Sequence, residues 1–189
     1  MKVPQTWLPR VHQDELYWFW APKNWASLTP QNGGSYFALQ SQTDKVLLEV
    51  FVLKPLRDSR LMIETILPIL KTSLKESHPG LRIIDDGFYL LEKMDDDDAL
   101  QRMSQLKLTE AFSSFADMGR PTSCHRLLVE YLEEQVSFYH PIKSITESYS
   151  LCRGDFVLQI NMKTLSTNYK KMASNFEMVA ASAMLGKLP

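Results

Sequence analysis

The sequence predicts an α+β protein, a single domain in which helices cover an antiparallel sheet in an αβα-type sandwich. Three observations carry that expectation. Runs with strand-like alternation or continuous apolar character fill most of the chain. Two stretches switch to helical spacing between them, and a third closes the chain. Glycine and proline are thinly spread, seven and ten in 189 residues, so connections are short and no long linker divides the chain. At 44% apolar and 23% charged, the chain can bury a proper core and is not disordered. We divide it into an N-terminal arm over residues 1–15 and a single domain over 16–189.

The first strand is predicted at 16–22, where Leu16-Tyr17-Trp18-Phe19-Trp20-Ala21-Pro22 is dense in β-favouring aromatics and stops at proline. Asn24-Trp25 leads to a turn over Pro30-Gln31-Asn32-Gly33-Gly34. Residues 35–40 and 45–53 read as two strands, the second almost wholly apolar and so interior to the sheet. From Ser59 to Ser77 the apolar residues Leu61, Met62, Ile66, Ile69, Leu70 and Leu74 recur at helical spacing. Pro68 should kink or divide that helix, because it removes a backbone donor.

Two short strands, 81–84 and 88–91, flank Asp85-Asp86-Gly87, which reads as a tight hairpin turn. Asp95-Asp96-Asp97-Asp98 precedes a helical pattern to Met118 and suits the start of a helix, whose N-terminus favours negative charge. A three-strand meander follows at 126–133, 137–151 and 155–163, with Arg153-Gly154-Asp155 as a turn. The last helix is predicted from Thr167 to Leu185.

No catalytic constellation emerges. His12, His78, His125 and His140 lie in separate segments without metal-ligand spacing, and no glycine-rich phosphate loop or nucleophile motif is present. Cys124 and His125 are adjacent, so in a strand they point to opposite faces and make no nucleophile–base pair by themselves. Cys124 and Cys152 read as reduced thiols. The aspartate run lacks the alternation and central glycine of a calcium loop. No metal site and no cofactor are expected.

Charge and length exclude other classes. A net charge of −1 argues against nucleic acid as a partner, and no run is long enough for a membrane helix. The first six residues show no apolar signal region, so a cytoplasmic protein is expected.

The most unusual feature is aromatic. Tyr17, Trp18, Phe19, Trp20 and Trp25 would place large rings on both faces of one strand. Either both faces are covered, or one is an exposed apolar patch of the kind that marks interaction sites. Eight methionines from Met62 to Met184 add adaptable apolar surface.

Ala21-Pro22-Lys23-Asn24-Trp25 resembles the proline-to-tryptophan entry of the PsbP/Mog1/DcrB-like superfamily, and Phe176-Glu177-x-Val179-x-x-Ser182 is similar to that group's closing helix. The resemblance implies a sandwich of antiparallel sheet and helices. It also implies a mostly non-enzymatic role, in accessory subunits, GTPase partners and chaperones of secreted effectors, and it transfers no functional residue.

The expected function is therefore a non-catalytic protein-binding module, a cytoplasmic chaperone or adaptor for secreted or membrane-associated clients. It would hold a peptide or helix in an apolar groove lined by Tyr17, Trp18, Phe19, Trp20 and Trp25. The alternatives are a small hydrophobic-ligand carrier, or an enzyme with a dispersed site using His125 or His140 with Glu130 or Glu133. Edge strands also make a homodimer an expectation.

Overall fold

The computed structural model describes residues 1–11, 17–28, 36–53, 63–78, 80–92, 94–106, 118–133, 142–153 and 156–186. Its strands in chain order are β1 (Trp7–Val11), β2 (Tyr17–Pro22), β3 (Ala26–Leu28), β4 (Tyr36–Ser41) and β5 (Val46–Leu53). Helix α1 (Ile63–Ser77), strand β6 (Arg82–Leu90) and helix α2 (Asp96–Gln105) follow. The last third is β7 (Ser123–Leu132), β8 (Lys143–Arg153), β9 (Phe156–Leu165), α3 (Ser166–Ala181) and β10 (Met184–Leu185).

These strands form two antiparallel sheets. A small one has the order β1-β2-β10, and a large one the order β3-β4-β5-β9-β8-β7-β6. The almost wholly apolar β5 lies inside the large sheet as expected, between β4 and β9. Helix α3 packs on β8 and β9 and also on β2, so it lies against both sheets. Its inner side, Met172, Phe176, Val179 and Ala180, is buried. Leu158, Ile160 and Met162 of β9 and Leu48 and Val50 of β5 belong to the same core. The opposite face of the large sheet carries α1, whose Leu74 packs on Leu127, Val129 and Tyr131 of β7. His78 stacks on Tyr131 with ring centres 3.9 Å apart. The α+β expectation holds, as does the single layered domain.

Several expectations are corrected. Residues 1–11, the described part of the N-terminal arm, are built into the fold: β1 pairs with β2 along its length, and Val3 and Trp7 are buried. Pro68 does not divide α1, which runs unbroken on both sides of it. No hairpin turns at Asp85-Asp86-Gly87, because β6 is one continuous strand with a register shift between Ile83 and Asp85. A bulge of this kind absorbs one extra residue without ending the strand. The final helix stops at Ala181, and Met184 and Leu185 pair with Trp18 and Tyr17 as β10.

The aspartate run does start a helix, since the Asp95 carboxylate accepts a hydrogen bond from the Asp98 amide at 3.2 Å. The helical pattern expected over 107–117 and the turn at Gly154-Asp155 lie outside the described residues.

Candidate functional site

The aromatic strand comes first, because the sequence places the binding face there. Tyr17, Trp18, Phe19, Trp20 and Trp25 are each 0–1% exposed and all belong to the central core. β2 is the middle strand of its sheet, with β1 on one side and β10 on the other. Its rings pack on each other and on neighbours: Trp18 edge-on to Trp20, Phe19 edge-on to Phe37, and Trp25 edge-on to Phe176. The groove expected on these five residues is not open in this structure; both faces of the strand are covered.

The residues behind the motif resemblance tie the core together. The Trp25 indole donates to Asp44 at 3.0 Å. The Ser182 hydroxyl accepts from the Trp20 amide at 3.0 Å and donates to the Val179 carbonyl at 2.8 Å, which fixes β2 to the end of α3.

The exposed apolar surface lies on β6. Phe88 is 59% exposed and Leu90 87%, with Ile84 and Tyr89 also open to solvent. β6 is the last strand of the large sheet, with β7 on one side and no described strand on the other. Leu91 donates its amide to the Thr122 carbonyl, directly beyond the Leu90–Ser123 pair. Bonded and non-bonded pairs alternate along an antiparallel ladder. Gly87 and Tyr89 therefore turn their backbone groups toward β7, while Phe88 and Leu90 turn theirs to the open side. The Asp86 amide, next in that outward series, is held by the Asp85 carboxylate at 3.0 Å.

Strand alternation sends the two adjacent aspartates of β6 to opposite faces. On the α3 side, Asp85 accepts from Arg126 Nη1 at 2.9 Å and from the Tyr89 hydroxyl at 2.8 Å. Arg126 Nε donates to Glu147 at 2.5 Å and Nη2 to the Tyr169 hydroxyl at 3.0 Å. The Tyr149 hydroxyl also donates to Glu147, at 2.8 Å. Burial opposes the charge on Arg126, but the adjacent Glu147 carboxylate outweighs it and holds the guanidinium protonated. Burial, reinforced by Glu147, pushes the Tyr169 phenol up to about 12.

On the α1 side, Asp86 accepts from Lys71 Nζ at 2.5 Å and pairs with His125 Nε2 at 2.9 Å. The Lys71 ammonium holds the Asp86 carboxyl below its usual range. Burial pushes His125 down, against the pull of Asp86.

A cavity of 330 Å³ opens beside this network, walled by Tyr89 and Leu90 of β6, Glu147 and Tyr149 of β8, and Ala173 and Glu177 of α3. A second cavity, of 420 Å³, lies at the other end of the sheet among Val46, Leu47, Ile142 and Leu165, with Glu133 and Lys163 paired at 2.6 Å.

Among the described residues, the dispersed His/Glu site does not assemble around His125. His125 and Glu130 sit at odd and even positions of β7 and so face opposite sides of the sheet. Glu133 is held by Lys163, and His140 lies outside the described residues. Cys124 is buried and its thiol pushed up to about 11 by burial, away from nucleophile chemistry. Among the described residues no group of histidine, cysteine and acidic side chains could hold a metal, and no helix is long and apolar enough to cross a membrane.

No protein-family model matches the sequence, and no curated protein matches it either. Solved structures do. PsbP (CyanoP) of the cyanobacterium Synechocystis sp. PCC 6803 superposes with a TM-score of 0.56 at 10% identity, covering 97% of this chain and 94% of that one. LpqN of Mycobacterium tuberculosis, described as involved in cell envelope biogenesis, superposes with a TM-score of 0.52 at 11% identity, covering 98% and 88%. The Ran-binding protein Mog1p of Saccharomyces cerevisiae lies further off, with a TM-score of 0.47 at 9% identity over 93% and 86%. The chain shares its fold with PsbP and LpqN, the fold its two end motifs led us to expect.

Proposed function

We propose that the protein is a non-catalytic binding module that takes an extended segment of another polypeptide as an added strand on β6. A single observation carries this: Phe88 and Leu90 turn their backbone groups to the open edge of β6 while their exposed apolar side chains stand on one face of the sheet beside it. Main-chain hydrogen bonds supply affinity in strand addition, and alternate side chains supply selectivity. Long, apolar, unblocked edges are otherwise an aggregation liability that proteins blunt with charges or proline. The surface thus suits a cytoplasmic adaptor or chaperone that shields an extended client segment, such as one of a secreted or membrane-associated protein. Asp85, Asp86, Arg126 and Glu147 are engaged in ion pairs beside the edge, which fits a static surface rather than bond-making chemistry.

A photo-crosslinking amino acid at Leu90 tests this, with Ile69, an exposed position on α1, as the control. Adducts to another polypeptide are expected at position 90, absent at 69, and lost when Phe88→Pro removes an outward donor. Equal labelling at both positions would remove the proposal.

A second reading, a carrier of a small hydrophobic ligand, rests on the 420 Å³ cavity, which falls within the size range of small-molecule sites. An added small mass in native mass spectrometry, lost on Leu47→Arg, would favour it.

A further inference from the structure

We propose that the strand added to β6 carries a lysine or arginine that enters the 330 Å³ cavity between β6 and α3, so that the partner is an extended segment alternating apolar and basic side chains. This rests on the strand-addition reading and specifies its occupant.

Geometry sets the alternation. Tyr89 pairs with Cys124, and both line the cavity on the α3 side of the sheet. Phe88 and Leu90, one residue to either side, alternate to the other face, with Leu90 at the cavity rim. A strand laid along β6 has the same period, so its residues opposite Phe88 and Leu90 meet those apolar side chains. The residue opposite Tyr89 points over the cavity.

Charge sets the basic residue. Glu147 and Glu177 line this cavity, Arg126 is the one cation among its lining residues, and Arg126 is also held by the adjacent Asp85. That guanidinium is already used, donating to Asp85, Glu147 and Tyr169 at 2.9, 2.5 and 3.0 Å. Glu177 stands exposed at the cavity wall, with no hydrogen bond or ion pair among the described residues. Lys170 is two turns back along α3 and does not line the cavity. The Tyr89 ring adds a face suited to a cation; Arg126 already lies 5.7 Å from its centre on one side. An entering ammonium or guanidinium meets an unpaired carboxylate, an aromatic wall and a surplus of negative charge. An acidic side chain would meet repulsion.

The test uses the full chain and three labelled nine-residue peptides alternating valine with lysine, glutamine or glutamate, followed by fluorescence anisotropy. The lysine peptide should bind about two- to fivefold more tightly than the glutamine one, an exposed-pair magnitude that shrinks in high salt. Glu177→Lys, on an exposed helix position, should leave the melting temperature unchanged, abolish that preference and favour the glutamate peptide. Leu90→Pro should weaken all three.

Equal binding of the three peptides, insensitive to Glu177→Lys yet lost with Leu90→Pro, would overturn the basic occupant and leave strand addition standing. Binding of none, or binding indifferent to Leu90→Pro, would overturn both. A dimer of the chain that dissociates on Leu90→Pro would make a second copy the occupant and also overturn the inference.

Discussion

Strands β2 and β6 carry similar apolar content and opposite fates. β2, Tyr-Trp-Phe-Trp-Ala-Pro, is buried at every position; β6 ends in Phe-Tyr-Leu and is exposed at all three. The difference is placement within a sheet. β2 has a strand on each side and α3 against it, whereas β6 closes its sheet with one neighbour. Aromatic density therefore marks where the core is thickest, and the interaction surface falls on a strand whose sequence looks ordinary.

The sharpest way to break that comparison is to truncate one ring on each strand. Trp20→Ala should destabilise the protein by about 3–5 kcal/mol, the usual cost of deleting a large buried ring. It also removes the surface under Arg102, whose guanidinium lies 4.4 Å from the Trp20 ring centre. Leu90→Ser should change stability by no more than about 0.5 kcal/mol, as for other exposed positions. Chemical denaturation of both variants checks this, and a mild effect at Trp20 would mean that β2 does not anchor the core.

The polar cluster beneath β6 comes next in size. Arg126→Ala leaves Glu147, 1% exposed, as a buried carboxylate without its cation. Removing one partner of a fully buried pair costs about 3–5 kcal/mol. Arg126 is itself a quarter exposed, which reduces the loss to about 2–3 kcal/mol after screening. Arg126→Lys should fall between, because one ammonium cannot make three divergent bonds. Urea midpoints for the two variants, in that order, would show that the cluster is built around the guanidinium fork.

A smaller effect is expected at the start of α2. Asp95→Ala removes a capping acceptor and should cost about 1 kcal/mol, detectable as a lower melting temperature.

Much of this architecture was legible in the sequence, and the misses share a cause. Period and turn chemistry located β4, β5, the meander, α3 and the Asp95 cap, because each depends on neighbouring residues. Ser182 was legible only as part of a motif, and Trp25 through that motif and the aromatic cluster; their partners, Trp20 and Asp44, are distant in the chain. Asp85-Asp86-Gly87 carries a strong turn signal, and it is overridden because Asp85 and Asp86 find cations on opposite faces, Arg126 on β7 and Lys71 on α1. Local propensity gives way to long-range pairing there. The same blindness hid the candidate surface, since whether a strand is central or at an edge is a property of the whole sheet and leaves little trace in the strand itself. Acidic residues inside an otherwise apolar strand were the one available hint.

The smallest expected effect concerns the α1 side of β6, and it separates the two faces by pH. His125 is 3% exposed, bonded through Nε2 to Asp86 and packed edge-on against Phe88, with Lys71 also on Asp86. Its Nδ1 has no hydrogen-bond partner. A neutral ring that donates from Nε2 leaves Nδ1 as an acceptor, whereas protonation would bury a donor with nothing to receive it. Burial accordingly lowers the His125 pKa from its ordinary value near 6.5. The unfolded chain then binds the proton more readily, so stability is complete above about pH 6.5 and declines as pH falls from there through the folded-state value. Asp86, held below its usual range by Lys71, adds stability that disappears only at more acidic pH, below the ordinary carboxylate value near 4. His125→Gln keeps a donor toward Asp86 without the titration. The difference in unfolding free energy between wild type and this variant should be flat from pH 8 to about 6.5 and should shift toward the variant between about 6.5 and 5. A difference that stays constant over that lower window and instead falls as pH rises above about 6.5 would show that burial does not govern the ring, and that Asp86 holds it charged at the root of the exposed edge.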